Sequence, residues 1–81
     1  MTDTALLDKM IQASGLKYAY IAKQIGLSAY GFARKRKNLS DFTSREIDGL
    51  CELLHIDRIE DRFAIFFAKE VDEKSTARAT L

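Results

Sequence analysis

Two short segments with apolar residues at helical spacing lie only a few residues apart in the middle of the chain. The first runs from residue 18 to 25 and is followed by Gly26, a residue type that adopts the left-handed conformation without steric cost. The second runs from residue 29 to about 37, and Ser28 precedes it as an N-cap. The residues predicted to face inwards are Tyr18, Ile21, Ala22, Ile25, Ala29, Phe32 and Ala33. The pattern predicts two short helices joined by a tight turn, a helix-turn-helix in outline.

Two further helices are predicted on either side of this unit. Residues 6 to 14 place Leu, Met and Ile at helical spacing, and Gly15 ends the segment. Thr43 to Glu46 has the Thr-x-x-Glu form of a capping box, ahead of a helix with Ile47, Leu50, Cys51 and Leu54 on one face. Gly49 inside that helix lowers helix propensity, and we expect it to mark a place where another backbone packs closely.

The last apolar segment allows two interpretations. Ile59, Phe63 and Phe66 or Phe67 fit a fifth short helix, whereas residues 62 to 68 also alternate well enough for a strand along a dimer edge. Helix is favoured, with the aromatic residues divided between the core and a dimer surface. Residues 69 to 81 are polar without an apolar period and are predicted to form a flexible tail. We therefore expect one all-α domain of four or five helices over residues 1 to 68.

Composition excludes several classes of protein. At 81 residues the chain has room for one small core, and a deep active site is hard to fit. A single cysteine and a single histidine allow no disulfide framework and too few ligands for a zinc cluster, although Cys51 and His55 lie four residues apart. The pattern of apolar residues predicts neither a signal peptide nor a membrane-spanning segment. We expect a cytoplasmic protein that is not an enzyme, with no catalytic residue, metal, cofactor, membrane partner or small-molecule substrate.

Basic charge is concentrated in one part of the chain. Residues 17 to 38 carry six basic side chains and no acidic one, whereas residues 39 to 81 carry six bases and ten acids, and the whole chain has a net charge of only +1. A block of Lys and Arg without acids is typical of proteins that bind a polyanion, because each contact with a phosphate releases condensed counterions. The block coincides with the predicted helix-turn-helix.

One stretch of the chain resembles the Cro/repressor-type helix-turn-helix domains of phages and related bacterial regulators. It runs from GLKYAYIAKQIGLSAYGFARKRKNLS to DFTSREIDGLCELLHI. The similarity extends over about residues 5 to 72, and includes a subgroup of small phage proteins from Gram-positive bacteria that share the FT-x-x-EI segment and the IFFAK-V-D ending. The resemblance implies a transcriptional regulator, a Cro-like repressor of the bacterial host cytoplasm, that binds a double-stranded inverted-repeat operator as a homodimer. Where Arg36 stands, the family usually has an aliphatic residue.

Carried over by position, the resemblance assigns roles to individual residues. Those implied to face base edges are Ser28, Ala29, Tyr30 and Arg34. Those implied to contact phosphates are Lys17, Tyr18, Lys37, Asn38, Thr43 and Ser44. Independently of the family, Lys35, Arg36 and Lys37 are expected to be solvated, to contact phosphates and to set the salt dependence of binding. The alternative is a protein-interaction module of the same fold, an antirepressor or antitoxin, whose acidic C-terminal third binds another regulator.

Overall fold

The computed structural model of the protein describes residues 1–68, and the predicted tail at 69–81 lies outside them. Within residues 1–68 the chain forms five α-helices and no strand. The helices are α1 (Thr4–Ser14), α2 (Tyr18–Gln24), α3 (Ala29–Arg36), α4 (Ser44–Leu53) and α5 (Ile59–Phe66). The all-α prediction is confirmed for this part of the chain, and residues 62 to 66 belong to a helix rather than to a strand.

Helix boundaries follow from short-range chemistry. The Ser28 hydroxyl accepts a hydrogen bond from the Gly31 amide at 2.9 Å, which confirms Ser28 as the N-cap of α3. Both hydrogen bonds of the capping box between Thr43 and Glu46 are present at the start of α4. Gly15 and Gly26 follow α1 and α2 with φ of 74° and 81°, as expected for residues that turn the chain out of a helix.

The core lies between all five helices and has an aromatic residue of α3 near its centre. Phe32 is almost fully buried, and its ring packs against Tyr18 of α2 and Phe42 of the loop before α4, with centroids 6.4 Å and 6.1 Å away. Phe42 in turn packs edge-on against Phe66 of α5 at 5.8 Å. The buried core consists of Leu7, Ile11, Ile21, Ala22, Phe32, Ile47, Leu50, Cys51, Leu54, Ile56, Ile65 and Phe66. This aromatic series fixes α3 relative to α2 and α5.

Two predictions about the surroundings of single residues, Ala29 and Gly49, are wrong. Ala29 is exposed at the start of α3, because Phe32 alone fills the space below that helix. The predicted division of the apolar residues near the end of α5 is found, since Ile65 and Phe66 are buried whereas Phe63 and Phe67 are exposed. The close neighbour of Gly49 is a side chain rather than a backbone. A Cβ at this position would lie 3.0 Å from Cγ2 of Ile25, so the glycine lets α2 and α4 approach each other.

Residues before α1 connect distant parts of the fold. The Thr2 amide donates to the Asn38 side chain at 2.9 Å, and the Asn38 amide group donates back to the Thr2 carbonyl at 2.8 Å. The Asp3 amide donates to the carbonyl of Ile65 in α5 at 2.7 Å. Asn38 itself has a φ of 62°, a conformation that asparagine tolerates better than most residues. The end of α3 and the end of α5 are thus held by the same short segment.

Candidate nucleic-acid interface

The outer side of α3 is exposed and carries the side chains predicted to face bases. Tyr30 is 72% exposed, and Ser28 and Ala29 are exposed beside it at the start of the helix. Arg34 lies four residues after Tyr30 and therefore on the same side, and it is half-buried. One Arg34 Nη atom donates to the Leu39 carbonyl at 3.3 Å. The guanidinium has five N–H groups, so this bond orients it and leaves donors for another acceptor.

Lys35 faces the opposite way. Its Nζ donates to Oε1 of Glu46 at 2.7 Å, and the two side chains are only 16% and 12% exposed. The same Glu46 oxygen accepts the Thr43 amide at 2.9 Å, so the ion pair is part of the α4 capping box. Burial raises the pKa of the Glu46 carboxyl, but hydrogen bonds from Lys35 and Thr43 and the Lys35 charge outweigh it, and the net pKa lies below its ordinary 4.5. The expectation that Lys35 is solvated is wrong.

Arg36 is also turned into the protein. Its guanidinium carbon lies 4.0 Å above the centre of the Tyr18 ring and 5.4 Å from that of Phe32. Its Nε lies 3.4 Å from Oδ1 of Asp8 in α1. The flat guanidinium therefore covers the aromatic ring of Tyr18. The expectation that Arg36 is solvated is therefore wrong, because it links α3 to α1 and α2.

The remaining predicted phosphate contacts have different surroundings. Lys17 and Lys37 are exposed, next to the start of α2 and the end of α3 respectively. Ser44 is exposed at the start of α4, and the Thr43 hydroxyl beside it accepts the Glu46 amide. Asn38 is occupied by its two bonds to Thr2 and has a structural role in the described chain. Tyr18 is partly buried, with its hydroxyl 3.4 Å from Nε2 of Gln12.

The acid-free block thus separates into two sets of cations. Within residues 1–68, Lys35 and Arg36 form ion pairs, whereas Lys17, Lys23, Arg34 and Lys37 have no acidic partner. Sequence reasoning missed the two carboxylates that make this division, on Asp8 and Glu46. Glu46 was visible as part of the capping box, but nothing near Asp8 in sequence indicates its partner 28 residues away.

Cys51 and His55 do not form a site together. Cys51 is buried in α4, and burial raises the pKa of its thiol above the ordinary 9.0, so the unreactive protonated form dominates at neutral pH. His55 lies past the end of α4, exposed, with a φ of 58° that takes it off the Cys51 face. Among residues 1–68 no group of three or more potential metal ligands comes together.

Comparisons of the chain with models of known protein families, with curated proteins and with solved structures give no match. None of the helices within residues 1–68 is both long and apolar enough to cross a bilayer. The function is therefore inferred from the arrangement of the side chains described above.

Proposed function

We propose that the protein is a sequence-specific transcriptional regulator, a Cro-like repressor of a bacterial host cell, which binds a double-stranded DNA operator through a helix-turn-helix formed by α2 and α3. The observation that carries the proposal is the outer side of this unit. The unit carries four exposed or half-exposed cations, exposed Ser28, Ala29 and Tyr30 lie on α3 and its N-cap, and no acidic residue occurs between residues 17 and 38. A surface of this kind attracts a polyanion and offers a helix that can approach base edges.

The dimensions of α3 suit a major groove. An α-helix with its side chains is about 10–12 Å across, and the major groove of B-DNA is about 12 Å wide. The small side chains of Ser28 and Ala29 allow close approach at the start of α3, where the helix dipole is positive. Tyr30 and Arg34 project from the same side one turn apart. These four residues are the proposed base contacts.

Arg34 is the residue best suited to read a base. A guanidinium can donate two parallel hydrogen bonds to O6 and N7 of a guanine, a pairing that contributes about 1–3 kcal/mol of discrimination. The bond from Arg34 to the Leu39 carbonyl restricts the side chain before DNA binds, so less rotamer entropy is lost on binding. Lys17 and Lys37, at the two ends of the unit, are the proposed phosphate contacts, with Ser44 as a neutral donor.

The test is a selection of bound sequences from a random duplex library at about 150 mM salt, where contacts to phosphates alone are weakened. A homodimer that reads a pseudo-palindromic operator is expected to enrich an inverted repeat with half-site centres one helical turn apart. Arg34→Ala is expected to lose the preference at one base pair of each half-site. The matched control is Lys9→Ala, which removes one exposed positive charge on α1, outside the basic block. Absence of any enriched sequence contradicts the proposal.

A protein-interaction module is the second candidate, and one observation favours it. Ile59, Phe63 and Phe67 form an exposed apolar row along α5, on a different element from the basic surface. Exposed apolar rows of this size are a feature of protein-binding surfaces. If selection enriches no DNA sequence, this row becomes the principal functional surface of the protein.

A further inference from the structure

A short acidic stretch follows soon after the last residue that the structure describes. Residues 70 to 73 read Glu-Val-Asp-Glu, and we call them the acidic segment. Three carboxylates occur there within four positions, without a basic residue between them. The opposite charge is concentrated in residues 17 to 38, which contain no acid. Two blocks of opposite sign attract each other when the fold brings them within a Debye length, about 10 Å at 0.1 M salt.

The acidic segment begins close to the end of α3. The Met1 nitrogen donates to the carbonyl of Ala68 at 3.1 Å, and the next amide, of Thr2, donates to the Asn38 side chain at 2.9 Å. Successive backbone nitrogens are less than about 4 Å apart, so the Ala68 carbonyl lies within about 10 Å of the Asn38 side chain. Asn38 directly follows Lys37, the last basic residue of the acid-free block.

Two cations at the end of α3 have no acidic partner among residues 1–68, namely Arg34 and Lys37. They are three positions apart, which places them on the same side of the helix. Lys37 is exposed, and Arg34 keeps guanidinium donors beyond its bond to the Leu39 carbonyl. The C-terminus of a helix carries about half a negative charge, which two full positive charges outweigh. The end of α3 therefore attracts carboxylates.

We propose that the acidic segment docks on Arg34 and Lys37 in the free protein and competes there with DNA. Its carboxylates take the positions that phosphates occupy in the complex, so the segment acts as an intramolecular inhibitor. DNA displaces the segment before the outer side of α3 enters a groove. The inhibition rests on the proposed DNA-binding function, whereas the docking does not and is measured without DNA.

The connection is long enough for this contact. An extended chain spans about 3.3–3.6 Å per residue, so Glu70 lies up to about 7 Å from Ala68 and Glu73 up to about 17 Å. These lengths cover the distance of about 10 Å or less between Ala68 and Asn38. A connection this short gives the charged groups an effective concentration on the order of millimolar. Docking therefore requires no tight individual contact.

The expected inhibition is moderate. Exposed ion pairs are individually weak, and two or three of them on a short connection favour the docked form without making it permanent. We expect the docked form to comprise about two thirds to nine tenths of the molecules at low salt. Because only the undocked fraction binds DNA, the apparent affinity for DNA is then lowered about three- to tenfold.

Docking is tested by NMR of the full chain without DNA, for the wild type and a neutral variant. The neutral variant is Glu70→Gln/Asp72→Asn/Glu73→Gln, which keeps the length of the segment and removes its charge. At about 20 mM salt, the Lys37 amide and the Arg34 Nε–H signals are expected to differ between the two proteins. At about 500 mM salt they are expected to coincide, because screening weakens exposed ion pairs. The Nε–H signal of Arg58, which lies beside Glu60 before α5, is the internal reference and is expected to stay unchanged.

Inhibition is tested by binding to a mixed-sequence duplex of about 20 base pairs at about 50 mM salt. The matched control is Glu52→Gln/Asp57→Asn/Glu60→Gln, which removes the same number of Glu and Asp charges at exposed positions on and between α4 and α5. Both variants therefore have the same net charge and the same long-range attraction to DNA. The neutral variant is expected to bind three- to tenfold more tightly than the control, as the docked fraction of about two thirds to nine tenths requires.

The two measurements separate the possible outcomes. Spectra of the wild type and the neutral variant that coincide at low salt rule out the docking. Different spectra with equal DNA affinities of the neutral variant and the matched control rule out the inhibition. If no variant binds DNA although the spectra differ, the proposed function fails and the docking stands. If the spectra coincide and the variants bind DNA equally, the docking fails and the proposed function stands. Urea unfolding verifies that the variants fold.

Discussion

The inner and outer sides of α3 carry the same kind of charge in different surroundings. On the inner side, Lys35 and Arg36 are mostly buried, one paired with Glu46 and the other lying over Tyr18 beside Asp8. On the outer side, Arg34 and Lys37 have no acidic partner among residues 1–68. Four consecutive residues advance about 100° each around a helix, so they point in all directions. A basic run on a helix therefore overstates the charge available to a ligand.

The largest expected difference between the two sides of α3 is in how much a packed side chain contributes to the free energy of unfolding. Phe32→Ala removes the buried ring at the centre of the aromatic series and is expected to lower the free energy of unfolding by about 3–5 kcal/mol. Tyr30→Ala removes a ring that is 72% exposed and is expected to change it by no more than about 0.5 kcal/mol. Urea unfolding at pH 7 measures both. Similar losses for the two variants are incompatible with the described orientation of α3.

A smaller difference is expected between the two lysines. Lys35→Ala leaves the Glu46 carboxylate without its charged partner in a mostly buried position, and we expect a loss of about 1–3 kcal/mol of unfolding free energy. Lys37→Ala truncates an exposed side chain and is expected to change stability by less than about 0.5 kcal/mol. The same urea series compares them, and equal stabilities would show that Lys35 is as solvated as Lys37.

The ion pair on the inner side also predicts a pH dependence. Folding lowers the pKa of Glu46, so ionisation of its carboxyl stabilises the protein at pH values above the ordinary pKa of 4.5. This contribution to the free energy of unfolding is lost as the pH falls through the lower pKa of the folded state. The Glu46→Gln variant lacks this contribution, because its side chain does not ionise. The difference in unfolding free energy between the wild type and Glu46→Gln is therefore expected to shrink as the pH is lowered from 7 towards 3. Glu52→Gln, an exposed change on α4, serves as the control and is expected to show a smaller change.

The smallest expected effect is on the salt dependence of DNA binding, which distinguishes the outer side of α3 from the inner side. If Lys37 contacts a phosphate and Lys35 does not, Lys37→Ala lowers the slope of log K against log salt concentration by about one, and Lys35→Ala leaves it unchanged. Binding titrations at four salt concentrations on the selected DNA measure the slopes. A lower slope for Lys35→Ala than for Lys37→Ala reverses the assignment of the two sides.

The helices were predictable because their signals are local. Ser28, Gly26 and the Thr43–Glu46 box lie within a few residues of the boundaries that they define, so the sequence alone places three helix ends. Thr43 and Asn38, predicted as phosphate contacts, show the limit of such reasoning. Polar residues at a helix start or in a loop form hydrogen bonds within the fold in some proteins and contact a ligand in others. The sequence pattern is the same in both cases.

The orientations of α3 and α5 were not predictable because distant residues decide them. Asp8 lies 28 residues from Arg36, and no spacing rule connects them. In α5, apolar residues cover most of the circumference, so periodicity does not distinguish the buried Ile65–Phe66 side from the exposed side with Ile59 and Phe63. Contact with Phe42 and with the residues before α1 selects the side that is buried.

The segment that joins Thr2 to Asn38 and Asp3 to Ile65 also constrains the order of folding. A chain is synthesised from its N-terminus, so both residues exist well before the partners of their amides, which lie 36 and 62 positions later. Closing loops of that length is slower than forming the helices between them. The amide of Asp3, whose partner is in α5, therefore becomes protected only when the last helix docks, and its hydrogen exchange reports the completion of the fold.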